Sequence, residues 1–452
     1  MKEIVESQRR FYHTDVTKSI RFRKAMLTRL QTAVLQNETL LYHALKVDLN
    51  KSESEAYLTE IQMILSEIQT AIAHLQAWDK PRTVRTPLPL FPASGCVYRE
   101  PYGNVLILAP WNYPVQLALA PLIGAISGGN CAVIKMSRHS KAVSKVIKKM
   151  LDEAFPTKYI CCLSEEYSYD TILAEPYELI FFTGSPRVGR LVMEAASKHL
   201  TPVVLELGGK SPCIVEKTAH IKLAAKRIAW GKFLNAGQTC VAPDYVLVDE
   251  TVKEKLIEEL KLQITKMYGH ALENKDYPRI ISRHHYDRLQ SYIDENQKIW
   301  GGESNAATCR IAPTLFCNAS FEDPIMEEEI FGPILPIISY SEINQMVQLL
   351  KKRDKPLACY IFSQNRQLTK KLLYTLSFGG GCVNDVVMHL ANDHLPFGGV
   401  GNSGMGSYHG KSSFTTFTRE KSILTGKNFL DLPLRYPPYS SGKLWLLRRI
   451  IG

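Results

Sequence analysis

The sequence lacks the features that mark secreted, membrane-spanning or zinc-binding proteins. Residues 1–6 contain no apolar stretch of the kind that signal peptides carry. No run of about 18 or more apolar residues occurs in the 452-residue chain. The 10 cysteines show neither a C-x-x-C pair nor a framework of regular spacings. These absences predict a cytoplasmic protein with reduced thiols, no spanning helix and no metal site.

Acidic residues are fewer than basic ones, yet the basic excess is not gathered in one segment. The formal net charge is +11, with Lys and Arg spread along the chain and no nucleic-acid recognition motif. A solvated basic surface that attracts an anionic cofactor explains this balance, so we expect no nucleic-acid partner. The length of 452 residues and the hydrophobic content of 45% predict two or three ordinary globular domains.

The first hundred residues divide into a helical part and a proline-rich part. From Tyr57 the apolar residues recur at helical spacing, and Ser52 begins a capping-box pattern with Glu55. We interpret residues 1–80 as helices that serve packing. Residues 81–100 contain four prolines, which predict an extended excursion rather than a central strand.

Apolar strands alternate with helical patterns from residue 103 onward. Short apolar runs predict strands at 105–108, 131–134, 159–162, 179–182 and 203–205. Such alternation is typical of a parallel, doubly wound sheet, in which ligands bind at the carboxyl ends of the strands. A second strand–helix series begins at Gly208 and predicts a second α/β domain. Residues 395–410 and 432–441 are interpreted as loops.

Two residues near the junction of these series are suited to catalysis. Glu206 follows an apolar run, where a carboxylate must either be paired or perform chemistry. Cys240 follows Asn-Ala-Gly-Gln-Thr, a polar loop whose glycine lets backbone N–H groups approach a substrate oxygen. A thiol supplies a nucleophile, and a carboxylate supplies a general base for water. A salt bridge for Glu206 and simple burial for Cys240 are the alternatives.

Three further motifs suit ligand binding, and each has a simpler alternative. The glycine turn in residues 182–189 joins a strand to a helix and can hold a pyrophosphate, although many such turns contain glycine. The amide of Asn112 can donate to an oxyanion or cap the next helix. Glu329 and Phe331 precede Gly-Pro in a segment that is otherwise a helix-ending turn.

These motifs together resemble those of the aldehyde dehydrogenase superfamily, in its short, class-3-like branch. The resemblance rests on the LELGGKSP block around Glu206, the FLNAGQTC block ending at Cys240, and the EEIFGP and LPFGGVGNSG blocks. It implies an α/β fold of the aldehyde dehydrogenase type. A doubly wound parallel sheet would form the nucleotide-binding domain, beside a second α/β catalytic domain and a small β oligomerisation region.

The resemblance also implies roles for individual residues. It makes Cys240 the nucleophile, Glu206 the base that activates water, and Asn112 with the Cys240 N–H the oxyanion donors. The implied cofactor-binding residues are Lys135, Gly184, Ser185, Gly189, Glu329 and Phe331. The implied substrate pocket contains Tyr113, Trp230 and Thr239.

The expected function is NAD(P)-dependent oxidation of an aldehyde to a carboxylic acid through a thiohemiacetal and a thioester on the cysteine. The aldehyde is expected to be aromatic or a medium- or long-chain aliphatic one. A coenzyme-A-acylating dehydrogenase and a non-catalytic scaffold of the same fold are the alternatives. Residues 1–80 and 101–207 are assigned to NAD(P) binding, 208–416 to catalysis, and 81–100 with 417–452 to oligomerisation as a homodimer.

Arg138 bears on the choice between NAD and NADP. The family usually continues Lys-Pro-Ser-Glu after the second strand, and that glutamate accepts hydrogen bonds from the ribose 2′-hydroxyl. Here Lys135 is followed by Met136, Ser137 and Arg138. A guanidinium is a natural partner for a 2′-phosphate. We therefore expect NADP to be at least well tolerated, the alternative being that Arg138 points to solvent.

The last ten residues, 443–452, are apolar with basic breaks. As a helix they would extend about 15 Å, half the hydrocarbon core of a bilayer, which excludes a spanning anchor. A tail packed on its own subunit or on a dimer partner is the favoured interpretation. Contact with a membrane surface is the alternative.

Overall fold

The computed structural model describes residues 1–294, 299–431 and 433–451. Its helices, in chain order, are α1 Lys2–Tyr12, α2 Ile20–Gln36, α3 Glu38–Leu49, α4 Glu53–Ala56, α5 Gln62–Trp78, α6 Gln116–Gly128, α7 Lys141–Ala154, α8 Tyr169–Leu173, α9 Pro186–Ser197, α10 Ile221–Phe233, α11 Lys253–Tyr268, α12 Arg283–Asp294, α13 Ile343–Lys352, α14 Arg366–Thr375, α15 Lys411–Thr416 and α16 Ser441–Ile451. Its strands are β1 Arg82–Val84, β2 Ser94–Pro101, β3 Asn104–Leu108, β4 Cys131–Lys135, β5 Ile160–Cys162, β6 Leu179–Gly184, β7 Val203–Leu207, β8 Pro212–Val215, β9 Tyr245–Asp249, β10 Ile299–Trp300, β11 Ser304–Asn305, β12 Arg310–Ile311, β13 Thr314–Phe316, β14 Ile334–Tyr340, β15 Ala358–Phe362, β16 Gly380–Val383, β17 Gly404–Met405 and β18 Thr418–Thr425.

A six-stranded sheet has the order β17-β7-β6-β3-β4-β5. Its strands are parallel except for β17, which pairs antiparallel to β7 at one edge. Strands β3 and β4 are buried over their whole length, as expected for strands covered by helices on both faces. The predicted doubly wound sheet is confirmed, and its carboxyl ends lie at one edge.

A seven-stranded sheet has the order β10-β13-β14-β9-β8-β15-β16. All its pairings are parallel except that of the edge strand β10. The second α/β series predicted from Gly208 is therefore present. The sequence patterns predict β9, β14 and β15 of this sheet but not β8, β10, β13 or β16. Strand β8 starts at a proline and β16 at two glycines, residues that strand patterns rarely contain.

A three-stranded antiparallel sheet, of order β1-β2-β18, joins residues 82–101 to residues 418–425. The expectation that residues 81–100 contain no central strand is wrong, because β2 lies between β1 and β18. The four prolines of this segment precede Ser94, so none of them removes a backbone donor from the β2 ladder. The domain limits proposed from the sequence stay a prediction.

The first 80 residues are mainly helical, as predicted, and Ser52 Oγ accepts from the Glu55 N–H at 3.2 Å. The predicted loop 395–410 contains only the short β17. Residue 432 of the second predicted loop lies outside the described residues. Within the described ranges no helix has the length and apolar character that crossing a bilayer requires, and no group of three His, Cys, Asp or Glu side chains is arranged to hold a metal ion.

Candidate active site

A cavity of about 1250 Å³ opens at the carboxyl edge of the six-stranded sheet. Its walls come from both α/β parts of the chain, including residues that follow β3, β6 and β7. Seven predicted site residues line it: Asn112, Gly184, Ser185, Glu206, Cys240, Glu329 and Phe331. The fold therefore gathers in one cavity groups that lie far apart in the sequence.

The polar loop between α10 and Cys240 has a strained backbone. Asn235, Ala236 and Gly237 have φ angles of 51°, 51° and 74°. Left-handed backbone costs residues with a Cβ roughly 1–2 kcal/mol each, so surrounding contacts must hold it. At Gly237 a side chain would also collide with the carbonyl oxygen of Gly332. Both the φ angle and the close approach therefore require glycine at this position.

Two fully buried amides hold this loop. Asn235 Nδ2 donates to the carbonyl oxygens of Asn112 at 2.8 Å and Gln238 at 3.2 Å. Gln238 Nε2 donates to the Arg279 carbonyl oxygen at 3.0 Å, and Gln238 Oε1 accepts from the Ile281 N–H at 3.0 Å. Backbone groups from separate segments thus fix the loop that carries the thiol.

Asn112 lies beside this loop and is 4% exposed. Its Nδ2 donates to the Gln238 carbonyl oxygen at 3.1 Å. A primary amide has two N–H groups, so this bond engages only one of them. Because Asn112 also lines the cavity, its second N–H is a suitable donor to a substrate oxygen.

Glu206 is 2% exposed and is paired in register with Thr183 of β6 and Gly404 of β17. Among the described residues neither of its carboxylate oxygens has a hydrogen-bond partner of normal geometry. Burial raises the pKa of Glu206 to about 8, against a smaller opposing effect of the Cys240 thiol. A carboxyl group with such a pKa can take up and release a proton near neutral pH.

Cys240 is partly exposed to the cavity. Burial raises the pKa of its thiol well above the usual value, and the negative charges of Glu206 and Glu329 raise it further. The thiol therefore keeps its proton at neutral pH in this state and needs a base to become a nucleophile. Of the two carboxylates, Glu206 has the larger effect on the thiol.

An ion pair holds the segment that leads to Glu329. Lys210 Nζ contacts Asp244 Oδ2 at 2.7 Å and donates to the Glu328 carbonyl oxygen at 2.8 Å. Asp244 Oδ1 accepts from the Ile330 N–H at 3.0 Å. The family-like block that begins at Glu328 is thus tied to the loop after β7.

Gly208 and Phe331 shape the wall around the Glu329 carboxylate. A side chain at Gly208 would collide with that carboxylate, so the absence of a Cβ gives it room. Burial raises the pKa of Glu329 well above its usual value, and the charge of Asp244 adds to the effect. The Phe331 ring meets Trp111 edge-on, with 5.4 Å between ring centroids.

The sequence profile of the aldehyde dehydrogenase family matches residues 1–423. The chain belongs to the aldehyde dehydrogenase family. It is 47% identical to 4,4'-diaponeurosporen-aldehyde dehydrogenase of Staphylococcus aureus, over 95% of this chain and 94% of that protein. It is 41% identical to aldehyde dehydrogenase family 3 member B1 of Homo sapiens, over 97% of this chain and 95% of that protein.

A solved structure of this family, the substrate-bound state of Staphylococcus aureus AldH, superposes with a TM-score of 0.97. The two sequences are 45% identical, and the match covers 100% of this chain and 99% of that one. The predicted family, fold and enzyme class are confirmed. This aldehyde dehydrogenase oxidises aldehydes with a nicotinamide cofactor.

Six residues predicted for this aldehyde dehydrogenase, all in the described part of the chain, do not line the cavity: Lys135, Arg138, Gly189, Tyr113, Trp230 and Thr239. Lys135 Nζ donates to the Ser164 carbonyl oxygen at 2.8 Å, and Arg138 is exposed beyond the end of β4. Gly189 faces Leu207, which lets α9 pack closely on β7.

The predicted substrate-pocket residues are divided between the interior and the surface. Tyr113 is buried, and its hydroxyl lies 2.6 Å from Thr239 Oγ1. Trp230 lies on α10 with 36% of its surface exposed. Tyr113 therefore contacts Thr239, the residue that precedes Cys240 in the chain.

The sequence analysis missed charged residues in the N-terminal helical region that reach the site. Lys51, Glu55 and Glu60 contact the loops that carry Asn112 and Asn235. The sequence pattern alone predicts only a packing role for these helices. A signal was present, because Glu60 and Glu67 occupy the helical stripe that also contains Ile64 and Ala71, and a carboxylate in a buried stripe needs a polar partner.

Proposed function

We propose that Cys240 is the nucleophile, Glu206 the general base, and Asn112 with the Cys240 N–H the oxyanion donors in the oxidation of an aldehyde to a carboxylic acid. The observation that supports this assignment best is the buried Glu206 carboxylate, without a hydrogen-bond partner among the described residues, in the same cavity as the Cys240 thiol. Such a carboxylate is costly for stability, and catalysis explains its retention.

The chemistry follows from these groups. The Cys240 thiol gives its proton to solvent water, and the resulting thiolate attacks the aldehyde carbon, so that the carbonyl oxygen becomes an oxyanion beside the Asn112 amide. When bound, the nicotinamide cofactor supplies the hydride acceptor. Removal of hydride leaves a thioester on Cys240. Glu206 then takes a proton from water, the resulting hydroxide attacks the thioester carbon, and the carboxylic acid leaves as the sulfur regains its charge.

The cavity suits a dinucleotide cofactor in both shape and charge. Ser185 Oγ accepts from the Val188 N–H at 3.4 Å and caps α9, whose N-terminus lines the cavity. The side chains of Arg187 and Arg190 are also among the lining residues. We propose that Gly184 and Ser185 hold the pyrophosphate, and that Lys135 and Glu329 hold the two riboses.

A Glu206→Gln variant tests the general-base role. Glutamine is nearly isosteric but cannot take a proton from water, so the thioester should form once and then persist. We expect a burst of reduced cofactor near one equivalent per active site, followed by steady-state turnover lower by roughly a hundredfold or more. Unchanged steady-state turnover would refute the role.

The same assay separates hydrolysis from thiol transfer. A marked gain in turnover on addition of coenzyme A to the wild type would favour an acylating dehydrogenase, in which a thiol rather than water releases the acyl group. We expect no gain.

We propose medium- or long-chain aliphatic or aromatic aldehydes as substrates, with Tyr113, Trp230 and Thr239 on the substrate side. The name of one relative, 4,4'-diaponeurosporen-aldehyde dehydrogenase, supports the proposal of an apolar substrate. We expect kcat/KM to rise along a series of aldehydes of increasing chain length, since each buried methylene contributes about 0.8 kcal/mol. A flat series would exclude an apolar pocket.

We also propose a homodimer that uses the β1-β2-β18 sheet. This sheet exposes apolar side chains on both faces, including Ile423 at 41% and Leu424 at 54%, which are neighbours in β18 and point to opposite sides. Clusters of this kind often mark protein interfaces. Sedimentation equilibrium tests the assembly, and Leu424→Glu should shift it towards the monomer, whereas a monomeric wild type would contradict it.

The ten cysteines are all free, and we propose a reducing compartment such as the cytoplasm. Helix α16 exposes Leu444 at 52% and Trp445 at 60% beside Arg448 and Arg449, which suits packing on a partner subunit or, less favourably, contact with anionic lipid. Cell fractionation and flotation with anionic liposomes test both points. Absence from the cytoplasmic fraction or co-flotation of the protein would overturn the favoured interpretation.

A further inference from the structure

A buried ion pair between Lys51, in the link from α3 to α4, and Glu60, in the turn before α5, contacts the loop that carries Asn112. Lys51 Nζ lies 2.7 Å from Glu60 Oε1, and both side chains are 0% exposed. Lys51 Nζ also donates to the Asn112 carbonyl oxygen at 3.0 Å and lies 3.9 Å from the centre of the Tyr113 ring. The ammonium group therefore touches the two residues at which the chain enters the candidate active site.

The second carboxylate oxygen of this pair binds the backbone that follows Tyr113. Glu60 Oε2 accepts from the backbone N–H groups of Val115 at 2.8 Å and Gln116 at 3.3 Å. These N–H groups stand at the N-terminus of α6, where a negative charge is favourable. One ion pair thus fixes the backbone on both sides of Tyr113.

A wide turn in the helix makes this placement possible. Residues Tyr57–Ile61 form a π-helical turn between α4 and α5. In an α-helix Glu55 and Glu60, five residues apart, would point about 140° away from each other. The π-turn introduces wider i→i+5 hydrogen bonds, such as that from the Gln62 N–H to the Tyr57 carbonyl oxygen, and so changes this angle. Glu55, in α4 before the turn, accepts from the Asn235 N–H at 2.8 Å, whereas Glu60, within the turn, faces the Asn112 loop.

We propose that Lys51 and Glu60 are positioning residues for the reaction, which hold the Asn112 backbone so that its side-chain amide meets the developing oxyanion. This inference rests on the proposed role of Asn112. The pair touches no reacting atom, and its effect passes through the backbone of residues 112–116. A small displacement of an oxyanion donor is sufficient to lower the rate strongly.

Lys51→Met and Glu60→Gln test the proposal, the second being the milder change because glutamine keeps the shape and an acceptor oxygen. We expect each to lower kcat by roughly tenfold or more, with the KM for the cofactor changed less than about twofold. Each rate is referred to the folded fraction, measured by circular dichroism. Wild-type kcat in both variants would overturn the proposal.

Arg23→Met is a matched control at the opposite end of α6. Arg23 is a buried cation that lies 2.8 Å from Asp79 and donates to the Ser127 carbonyl oxygen at 3.0 Å. Its loss leaves a buried acceptor unpaired, as in the Lys51 variant. We expect a lower Tm but a kcat within about twofold of wild type. An equal loss of kcat in the control would show that any damage to α6 lowers the rate, against a specific role for Lys51.

A double-mutant cycle with Asn112→Ala separates positioning from general damage. Asn112→Ala alone should lower kcat by roughly a hundredfold. On that background Lys51→Met should cost little more, because the group that it positions is already absent. Full additivity would overturn the inference and leave the function of Asn112 intact. If Asn112→Ala keeps wild-type kcat, the proposed oxyanion role fails, and the inference fails with it.

Discussion

Cys240, at the end of its loop, and the Glu206 carboxylate line the same cavity, but the buried polar groups around the two differ in their hydrogen bonding. The donors of Asn235 and Gln238 each bond to backbone carbonyl oxygens, which holds a strained loop in one conformation. Glu206 is nearly as deeply buried, yet in the described part of the chain its oxygens have no hydrogen-bond partner of normal geometry. Hydrogen bonds fix position on one side of the cavity, and their absence keeps a base reactive on the other.

Removal of the thiol should have the largest effect. Cys240→Ser replaces the sulfur by an alcohol that has no accessible anion near pH 7, so we expect kcat to fall by at least about a thousandfold. The hydrogen bonds that hold the loop do not involve the sulfur. The affinity for the cofactor, measured by calorimetry, should therefore remain within about twofold of wild type. Retention of more than a few per cent of wild-type turnover would contradict the nucleophile assignment.

The burial of Glu206 should make the free energy of unfolding depend on pH. Its folded-state pKa of about 8 lies above the ordinary value of 4.5, so the folded protein binds this proton more tightly than the unfolded chain. Its contribution to stability is therefore greatest at low pH and falls as pH rises between these values. Relative to Glu206→Gln, the wild type should lose roughly 3 kcal/mol of unfolding free energy between pH 5.5 and 8.5.

Urea titrations of both proteins at these two pH values measure the difference directly. The Gln variant is the control, because it shares every other titrating group. If the difference in unfolding free energy between the two proteins is the same at both pH values, Glu206 is already ionised in the folded protein at pH 5.5. Its carboxylate would then be stabilised by a partner, contrary to the prediction.

The strained loop should respond to the loss of one glycine. Gly237→Ala places a Cβ at a φ of 74° and against the Gly332 carbonyl oxygen. We expect kcat to fall by roughly tenfold and stability by about 2 kcal/mol. Gly426→Ala is the matched control, since nothing lies within 4 Å of a Cβ there, and it should be nearly silent. Equal behaviour of the two variants in thermal melts and rate assays would argue against loop strain.

The smallest effect is expected away from Glu206 and Cys240, where the adenosine part of the cofactor would bind. Arg138 is exposed beyond β4 and can reach a 2′-phosphate only if the cofactor lies along that edge. Arg138→Glu should move the ratio of kcat/KM for NADP and NAD towards NAD by at least about tenfold, or 1.4 kcal/mol. A smaller shift would mean that Arg138 points to solvent and that both cofactors are used.

The parallel sheets could be predicted, because buried strands appear in the sequence as short apolar runs. The shared location of Glu206 and Cys240 could also be predicted, because the carboxyl ends of parallel strands meet at one edge of a sheet. The left-handed backbone at Asn235 and Ala236 could not, since tertiary hydrogen bonds override local preference there. Lys51 and Glu60 were missed because their partners are backbone groups of the Asn112 loop, far away in the sequence. β2 was missed because proline density was averaged over a segment whose prolines all precede the strand.

The pairing of β17 with β7 also has a consequence for biosynthesis. Gly404 lies beside Glu206 in the finished sheet, yet the ribosome reaches it about 10 to 40 seconds later at ordinary elongation rates. During that interval β7 is an open sheet edge, and such edges invite pairing with other nascent chains. Chains released before residue 404 would keep this edge uncovered. We expect them to be frequent clients of chaperones and proteases.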